Sequence, residues 1–286
     1  MIPASFDYAA ADSVDQAIAL LRQHGDDAKL LAGGHSLIPM MKLRLARPGM
    51  LIDIGRIAGL RGVAKTARGL EIGALTTHDD VAASAGVASY APALSDAAGA
   101  IGDVQVRHRG TIGGSCAHAD AAADYPAALL ALEAQFEIAG PAGKRTVSAS
   151  DFFVDMFTTA LAPDEILTSV ILPKASPASA YVKLPHPASH YPVVGAACAL
   201  SVTGGTIASG RLALTGVGSK AFRAAHVEPA LGGIAVSDHK KMESVCASVA
   251  RGVEARADVY ASAEYRTAMA DVIASRAVVA AAERAR

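Results

Sequence analysis

The N-terminal segment alternates between helical and extended hydrophobic patterns. In "DSVDQAIALLRQHGDD" apolar residues recur on one helical face, Ser13 and Gln16 have capping-box spacing, and Gly25 suits the helix end. The runs "AKLLAGG" and "MLIDI" are typical of short buried strands, and Ser36 is placed to cap a helix over "LIPMMKLRLA". This alternation predicts a small α/β unit over about residues 1–55.

A second α/β unit is predicted over about residues 56–175. "LRGVAKT" and "GLEIGALT" have the pattern of paired strands, whereas "HDDVAAS", "YAPALSDAAGAIG" and "YPAALLALEA" have the pattern of helices. The strand-like runs "QFEIAG" and "EILTSVILP" follow, and the turn "GPAGK" joins the first of them to a partner. The segment "PKASP", Pro173 to Pro177, then has the composition of a linker.

The region beyond the linker shows β signals first and helical signals afterwards. "SAYVKL", "VVGAACALSV" and "TIASGRLALTGVG" are separated by turn residues, and from about Glu228 the chain is Ala-rich and predicted to be helical. This order favours an antiparallel sheet covered by helices. The whole chain is therefore predicted to be α+β, with two α/β subdomains in a domain over 1–175 and an α+β domain over 176–286.

Composition narrows the class of protein. The chain has 286 residues, of which 52% are hydrophobic and 19% charged, with a formal net charge of −1. Such a balance does not favour nucleic acid or an anionic membrane surface as a partner. Apolar runs are too short to span a bilayer, and "MIPASFDYAA" lacks the regions of a secretory signal. The expected location is therefore the cytoplasm.

Cysteine usage indicates a reducing compartment. Cys116, Cys198 and Cys246 are far apart, odd in number, and form no C-x-x-C pair for zinc or an iron–sulfur cluster. If the protein takes part in redox chemistry, its own cysteines are not expected to carry the redox centre.

Two glycine loops share one local pattern. "LAGGHS" (Leu31 to Ser36) and "GTIGGSCAHAD" (Gly110 to Asp120) each place Gly-Gly before a hydroxyl residue. In both, a strand or turn is expected to lead into a helix at this point. Glycine permits positive φ and removes the Cβ, so consecutive N–H groups can point at one anion. Two such loops could clamp a pyrophosphate from both sides. Gly-Gly is also common in ordinary turns, so from the residues alone both interpretations stay open.

Other signatures of nucleotide, metal or catalytic sites are missing from the sequence. The chain has no G-x-G-x-x-G, no Walker A loop at Gly143-Lys144, and no H-E-x-x-H. "HPASH" (His186 to His190) has a metal-like spacing, but its proline disrupts the helix that such a site needs. We therefore predict no metal ligand and no catalytic acid, base or nucleophile in this chain.

The sequence resembles a known family at the glycine loops and around them. The resemblance is carried by "LAGGHSLIPMMKLRLARP", "AIGDVQVRHRGTIGGSCAHADAAADYPAALLALEA", "DEILTSVILP" and the N-terminal "IPASFDY". These segments are similar to the FAD-binding medium subunit of molybdenum hydroxylases, the xanthine dehydrogenase family, and most of all to the aerobic carbon monoxide dehydrogenase type. The resemblance spans the chain and implies a PCMH-type FAD-binding domain followed by a C-terminal α+β domain.

The resemblance also implies a set of residues that bind FAD without a covalent bond. The first loop would hold the pyrophosphate through backbone amides, and the second loop would enclose its other side. His118 and Asp124 match positions at the ribityl–phosphate and adenosine portions, and the remaining matches are apolar or ring-side positions. The implied FAD-binding residues are Ala32, Gly33, Gly34, His35, Ser36, Ile101, Thr111, Ile112, Gly113, Gly114, Ser115, His118, Asp124, Leu161, Leu167, Lys183 and Tyr191.

By the same resemblance, the chain is an oxidoreductase subunit that transfers electrons. A large subunit would carry the molybdenum cofactor, a small subunit the two [2Fe–2S] clusters, and FAD on this chain would pass electrons to an external acceptor. The implied assembly is a dimer of heterotrimers in the cytoplasm, with peripheral association at the inner face of the cytoplasmic membrane left open. Carbon monoxide is the favoured substrate of the complex, with xanthine, nicotine, quinoline or aldehyde substrates as alternatives.

Two hypotheses from other classes remain at this level. One is a stand-alone flavin oxidase of the vanillyl-alcohol type, although such chains are usually longer and often link FAD through His or Cys. The other is a nucleotide-binding or scaffold protein without redox function. The flavin content of the purified protein separates these from an electron-transfer subunit.

Overall fold

The computed structural model describes residues 1–285. The N-terminal unit is a three-stranded parallel sheet in the order β1-β3-β2 with helices in its crossovers. Its elements are β1 (Asp7–Ala10), α1 (Val14–His24), β2 (Ala28–Leu31), α2 (Leu37–Lys42) and β3 (Met50–Asp53). The α/β unit predicted from the sequence is present.

Helix α1 forms where the sequence predicts it, for the predicted reasons. Ser13 Oγ accepts a hydrogen bond from the Gln16 amide at 3.1 Å, and Gly25 ends the helix with φ +55°. Ala17, Ile18 and Leu21 on its inner face are buried in the core of this unit. The predicted helix start, helix end and apolar face are therefore all present in the structure.

The prediction for helix α2 was wrong in two respects. The Ser36 side chain makes no capping hydrogen bond, and the helix ends at Lys42 instead of continuing to Ala46. The chain turns there because Arg44 adopts φ +60° and the Leu45 amide donates to the Met40 carbonyl at 2.9 Å. The Ser36 hydroxyl is consequently not used in forming the helix.

The second unit is a five-stranded antiparallel sheet in the order β4-β5-β10-β6-β7, with helices packed on it. The fully buried strand β10 is its centre. The elements are β4 (Val63–Thr66), β5 (Gly69–Gly73), α3 (His78–Ala83), α4 (Ala85–Tyr90), α5 (Pro92–Ala100), α6 (Val104–Arg107), α7 (Ile112–His118), α8 (Tyr125–Ala131), β6 (Gln135–Gly140), β7 (Gly143–Ser148), α9 (Ala149–Phe152), β8 (Phe153–Asp155), β9 (Thr158–Thr159) and β10 (Ile166–Leu172).

The C-terminal region is a four-stranded antiparallel sheet in the order β11-β12-β13-β14, covered by helices. Its elements are β11 (Ser179–Pro185), β12 (Pro192–Thr203), β13 (Thr206–Thr215), β14 (Phe222–Arg223), α10 (Glu228–Leu231), α11 (His239–Val245) and α12 (Ala263–Glu283). Residues 247–262 are turns and coil, so the expectation that the chain is helical from about Glu228 onward was wrong for this segment.

The second unit and the C-terminal sheet share one hydrophobic core. Helix α8 packs against β12 and β13, and α5 packs against β11. Leu129 of α8, Ala197 of β12 and Ala213 of β13 are all buried in the same cluster. This packing fixes the position of the glycine loop before α7 relative to the C-terminal sheet.

Candidate functional site

The two glycine loops are in direct contact. A Cβ placed on Gly33 would lie 2.2 Å from the Arg109 carbonyl oxygen and 2.8 Å from the Gly110 Cα. A Cβ on Gly114 would lie 3.9 Å from the Ala32 Cβ. Glycine at position 33 is therefore needed for the close approach of one backbone to the other, and the loops form one continuous surface.

The first loop presents a run of unpaired backbone donors. The amides from Ala32 to Leu37 donate to no acceptor among residues 1–285, and the first bond of the following turn joins the Ile38 amide to the Gly34 carbonyl at 3.0 Å. Gly34 has φ +78°, which lets successive N–H groups turn toward a common point. Successive free amides of this kind suit an anion with several acceptor oxygens.

The second loop is built differently, because its amides are already bonded. The Ile112 amide donates to the Thr76 carbonyl at 3.0 Å, and the Gly113 amide donates to the Ala74 carbonyl at 2.8 Å. The Gly114 amide donates to Thr111 Oγ1 at 3.1 Å. What this loop can still offer a ligand is the hydroxyl hydrogen of Thr111, together with the Ser115 hydroxyl. The two loops are thus not equivalent halves of a clamp.

His78 lies beneath the second loop and was not singled out from the sequence. Its amide donates to the Gly110 carbonyl at 3.0 Å, and its Nδ1 lies 3.0 Å from Tyr125 Oη. A Cβ on Gly110 would come within 2.6 Å of the imidazole Nε2. Burial, and then the charges of His35 and Arg107, lower the pKa of His78 from 6.5 to about 4. A neutral imidazole therefore supports the loop at neutral pH.

The lowered pKa of His78 predicts that the folded chain loses stability in mild acid. Because the folded pKa of His78 lies below the unfolded value of 6.5, the unfolded chain takes up the proton first as the pH falls. The contribution of the neutral His78 imidazole to the free energy of unfolding is complete above pH 6.5 and is lost progressively as the pH falls toward about 4. Between pH 7.5 and 5 we expect the free energy of unfolding to fall by about 2 kcal/mol more in the natural chain than in His78→Gln. Urea unfolding at both pH values tests this, and equal pH dependence of the two chains would contradict it.

Asp124 and Lys183 form a buried ion pair between the second unit and the C-terminal sheet. Lys183 Nζ donates to Asp124 Oδ1 at 2.9 Å, and the hydroxyl of Tyr181 donates to the same oxygen at 2.8 Å. Burial raises the pKa of Asp124, while Lys183 and Tyr181 act in the opposite direction. Lys183 also donates to the carbonyls of Ala100 at 2.7 Å and His190 at 2.6 Å. Its ammonium group thus holds three parts of the chain together.

The predicted ring-side residues come together at the end of α5. Ile101 follows α5, is partly buried, and its carbonyl accepts a bond from Arg107 Nη1 at 3.1 Å. His190 Nδ1 lies 3.1 Å from the Gly102 carbonyl, and the side chain of Tyr191 is next to it in the chain and 45% exposed. The structure therefore brings Ile101, Lys183 and Tyr191 into one region.

His118, Leu161 and Leu167 lie in more varied settings. The ring of His118, at the end of α7, is 4.9 Å from the ring of Phe157 between centroids, and burial lowers its pKa. Leu161 is half-buried against the core, whereas Leu167 is a buried core residue of β10. The position of Leu167 is explained by packing alone, and its predicted contact with FAD stays a prediction.

Within residues 1–285 no group of three or more His, Cys, Asp or Glu side chains could hold a metal ion. The free thiols of Cys116, Cys198 and Cys246 are buried, and burial raises the pKa of each. Among the same residues no helix has the length and apolar character needed to cross a membrane.

Comparison with known families decides the class of protein. Residues 4–175 match the family described as "FAD binding domain in molybdopterin dehydrogenase". Residues 179–281 match the "CO dehydrogenase flavoprotein C-terminal domain". The chain belongs to the family of FAD-binding subunits of molybdopterin dehydrogenases. The α+β fold, FAD as the cofactor and the assignment as an oxidoreductase subunit, each predicted from the sequence, are thereby confirmed.

Individual relatives of this flavoprotein family are similar over the whole chain. The carbon monoxide dehydrogenase medium chain of Hydrogenophaga pseudoflava is 42% identical over 98% of this chain and 98% of its own. A subunit of the 6-hydroxypseudooxynicotine dehydrogenase complex of Paenarthrobacter nicotinovorans is 37% identical over 100% and 97%. A solved structure of carbon monoxide dehydrogenase from Hydrogenophaga pseudoflava matches with a TM-score of 0.94, 43% identity, and coverage of 99% of both chains.

Proposed function

We propose that the free amides of Ala32 to Ser36 bind the pyrophosphate of FAD. The observation that carries this proposal is the run of unpaired N–H groups on the first loop beside the hydroxyl groups of the second. Pyrophosphate oxygens are acceptors only, so they can accept hydrogen bonds from these unpaired N–H groups. The missing Cβ of Gly33 lets the two loops meet, and the positive φ of Gly34 lets the neighbouring N–H groups turn toward one anion.

The other predicted residues receive supporting roles in this proposal. Thr111 and Ser115 would donate hydroxyl hydrogens, while Ile112, Gly113 and Gly114 would shape the second wall. His118 and Asp124 would line the path toward ribityl and adenosine, with Leu161 and Leu167 behind it. Ile101, Lys183 and Tyr191 would border the ring. Bound FAD supplies the redox chemistry that amino-acid side chains lack, and the protein positions it and shields it from water.

We further propose an assembly and a boundary for the FAD-binding domain. The chain would join a large subunit carrying the molybdenum cofactor and a small [2Fe–2S] subunit in a heterotrimer that dimerises in the cytoplasm. The printed names of the relatives, a medium chain and a complex subunit, support a multi-subunit assembly. The FAD-binding domain would end at about residue 175, with the C-terminal domain beginning at 176.

The proposed substrate of the complex is carbon monoxide. It is supported by similarity to a carbon monoxide dehydrogenase medium chain, whereas the similarity to a 6-hydroxypseudooxynicotine dehydrogenase subunit favours a pyridine compound as the second candidate. The substrate would react on the large subunit, so this chain's residues do not select it in our proposal.

Purification of the native complex through a tag on this chain tests the proposed assembly, its FAD content and the proposed substrate. Mass spectrometry should identify large and small partners, and the complex should contain FAD. Under anaerobic conditions carbon monoxide should bleach the visible flavin absorbance. Bleaching by 6-hydroxypseudooxynicotine but not by carbon monoxide would overturn the substrate proposal and leave FAD binding intact. A complex without any flavin would overturn the function itself.

A further inference from the structure

The turn after α2 places exposed leucine side chains beside cations that have no acidic partner. Leu43 is 54% exposed and Leu45 is 73% exposed. Lys42, Arg44 and Arg47 are also exposed, and none of them forms an ion pair among residues 1–285. We call residues 42–47 the basic turn. Clustered exposed apolar side chains rimmed by polar groups mark surfaces that bind another molecule.

The local sequence supplies no carboxylate to the basic turn. Between Asp27 and Asp53 the chain contains no Asp or Glu. Arginines on other parts of the surface behave differently, because Arg68, Arg145 and Arg284 each contact a carboxylate, at 2.9, 2.6 and 2.6 Å. The cations of the basic turn are therefore available to carboxylates of another molecule.

The basic turn has a fixed conformation in the free chain. Arg44 adopts φ +60°, a backbone conformation that residues with a Cβ rarely adopt. The Arg44 amide donates to the Met41 carbonyl at 3.0 Å, and the Leu45 amide donates to the Met40 carbonyl at 2.9 Å. Because these bonds already order the turn, binding a partner costs it little conformational entropy.

The basic turn is continuous with the first glycine loop. Ile38, in the first turn of α2, is 37% exposed, and a Cβ on Gly34 would lie 2.7 Å from its Cδ1. Ile38 and Lys42 are four residues apart, so their side chains lie on the same face of α2. An exposed surface thus runs from the first glycine loop through Ile38 to the basic turn. A protein docked on this surface would lie beside the proposed pyrophosphate site.

The basic turn fits a protein surface better than a membrane surface. Helix α2 has six residues, whereas many helices that lie on membranes are about 20–30 residues long. The turn carries Lys42, Arg44 and Arg47, fewer cations than the roughly 4–8 of clusters that bind anionic lipids. Protein interfaces, by contrast, combine an apolar centre with a polar rim, and complementary charges select the partner. Two leucines among three cations have this composition on a small scale.

We propose that the basic turn and Ile38 form a docking surface for a partner subunit that presents carboxylates around an apolar contact. Leu43 and Leu45 would be buried in the contact, and the carboxylates would pair with the three cations of the turn. The inference rests on the proposed assembly of this chain into a multi-subunit complex. It adds the surface and the chemistry by which the chain joins that complex.

Carbodiimide cross-linking of the native complex tests this docking surface. The reagent joins an amine to a carboxylate in contact with it, so Lys42 should become linked to an Asp or Glu of a co-purified subunit. Peptide mass spectrometry identifies both ends of the link. Lys240 of α11 is the control, because it is exposed and should give no such link. A complex in which Lys42 links to no partner subunit would overturn the proposal, and so would equal linking of Lys240.

Leu45→Asp tests the apolar part of the docking surface. Purified through a tag on this chain, the variant should retain at least about tenfold less partner subunit than the natural chain. Val259→Asp is the matched control, because Val259 is 91% exposed and lies in the segment before α12. The control should retain the natural amount of partner, and both variants should keep the natural urea midpoint. Equal retention by Leu45→Asp and the natural chain would overturn the proposal.

The same materials distinguish other occupants of the docking surface. A link from Lys42 to a second copy of this chain, in place of another subunit, would overturn the proposal. Binding of the natural complex, but not of the Leu45→Asp complex, to vesicles of phosphatidylcholine and phosphatidylserine would assign the surface to a membrane and overturn it as well. The proposed function fails differently, because a complex without flavin would contradict it and leave the cross-linking result unchanged.

Discussion

Gly33→Ala is expected to weaken FAD binding at least about 100-fold, which corresponds to roughly 2.7 kcal/mol. The new Cβ would lie 2.2 Å from the Arg109 carbonyl oxygen and 2.8 Å from the Gly110 Cα. Both neighbours are backbone atoms held in the second loop, so the loops must separate. The free amides of the first loop then lose their alignment with each other and with Thr111. The flavin-to-protein ratio and FAD titration by fluorescence quenching measure the effect.

Gly59→Ala is the matched control for this variant. A Cβ on Gly59 would meet no atom within 4 Å, and its φ is not in the left-handed region. Its FAD content should equal that of the natural chain. A Gly33→Ala protein that purifies with a full complement of FAD would contradict the role given to the contact between the loops.

Lys183→Met is expected to destabilise the flavin-depleted chain by about 3–5 kcal/mol, because it leaves a buried carboxylate without its cation. The side chains of Lys183 and Asp124 are only 8% and 5% exposed, and their atoms are 2.9 Å apart. The variant also removes the donor that Lys183 provides to the carbonyls of Ala100 and His190. Denaturant unfolding measures the change, and using flavin-depleted protein keeps the binding energy of FAD out of the comparison.

Lys144→Met provides the control for the ion pair. Lys144 also contacts a carboxylate, Glu137, at 2.9 Å, but its side chain is 67% exposed. The Glu137 side chain is only 11% exposed, but it keeps a second cation in Arg68 at 2.7 Å. The hydrated ammonium group of Lys144 therefore adds less than about 1 kcal/mol, and this variant should unfold almost like the natural chain. Equal destabilisation by Lys183→Met and Lys144→Met would show that the buried Asp124–Lys183 pair stabilises the chain no more than the Glu137–Lys144 pair does.

The fold could be predicted where local signals and tertiary packing agree. Helix α1 has its cap at Ser13, its apolar face and its terminal Gly25 within one short segment, so its limits follow from sequence. Helix α2 ends early because the chain turns at Arg44, and no local propensity requires a turn at that residue. The coil at 247–262 was not predicted because its Ala-rich composition favours helix.

The candidate site could be predicted only in part. The two Gly-Gly segments mark close approach of the backbone, and the structure places them against each other. Their different hydrogen bonding was not predictable, because the acceptors of the second loop are the carbonyls of Ala74 and Thr76, which are distant in sequence. The same holds for His78, which lies in an ordinary amphipathic segment and reaches Gly110 only through the tertiary structure.

Hydrogen–deuterium exchange of the flavin-depleted and FAD-reloaded chain tests the central claim most directly. The amides from Ala32 to Leu37 are unpaired in the described chain, whereas those of Ile112 to Ser115 are already bonded. Reloading with FAD should therefore slow exchange strongly in the first loop and change it little in the second. Full FAD binding with unchanged exchange from Ala32 to Leu37 would contradict the assignment of the first loop as the pyrophosphate site.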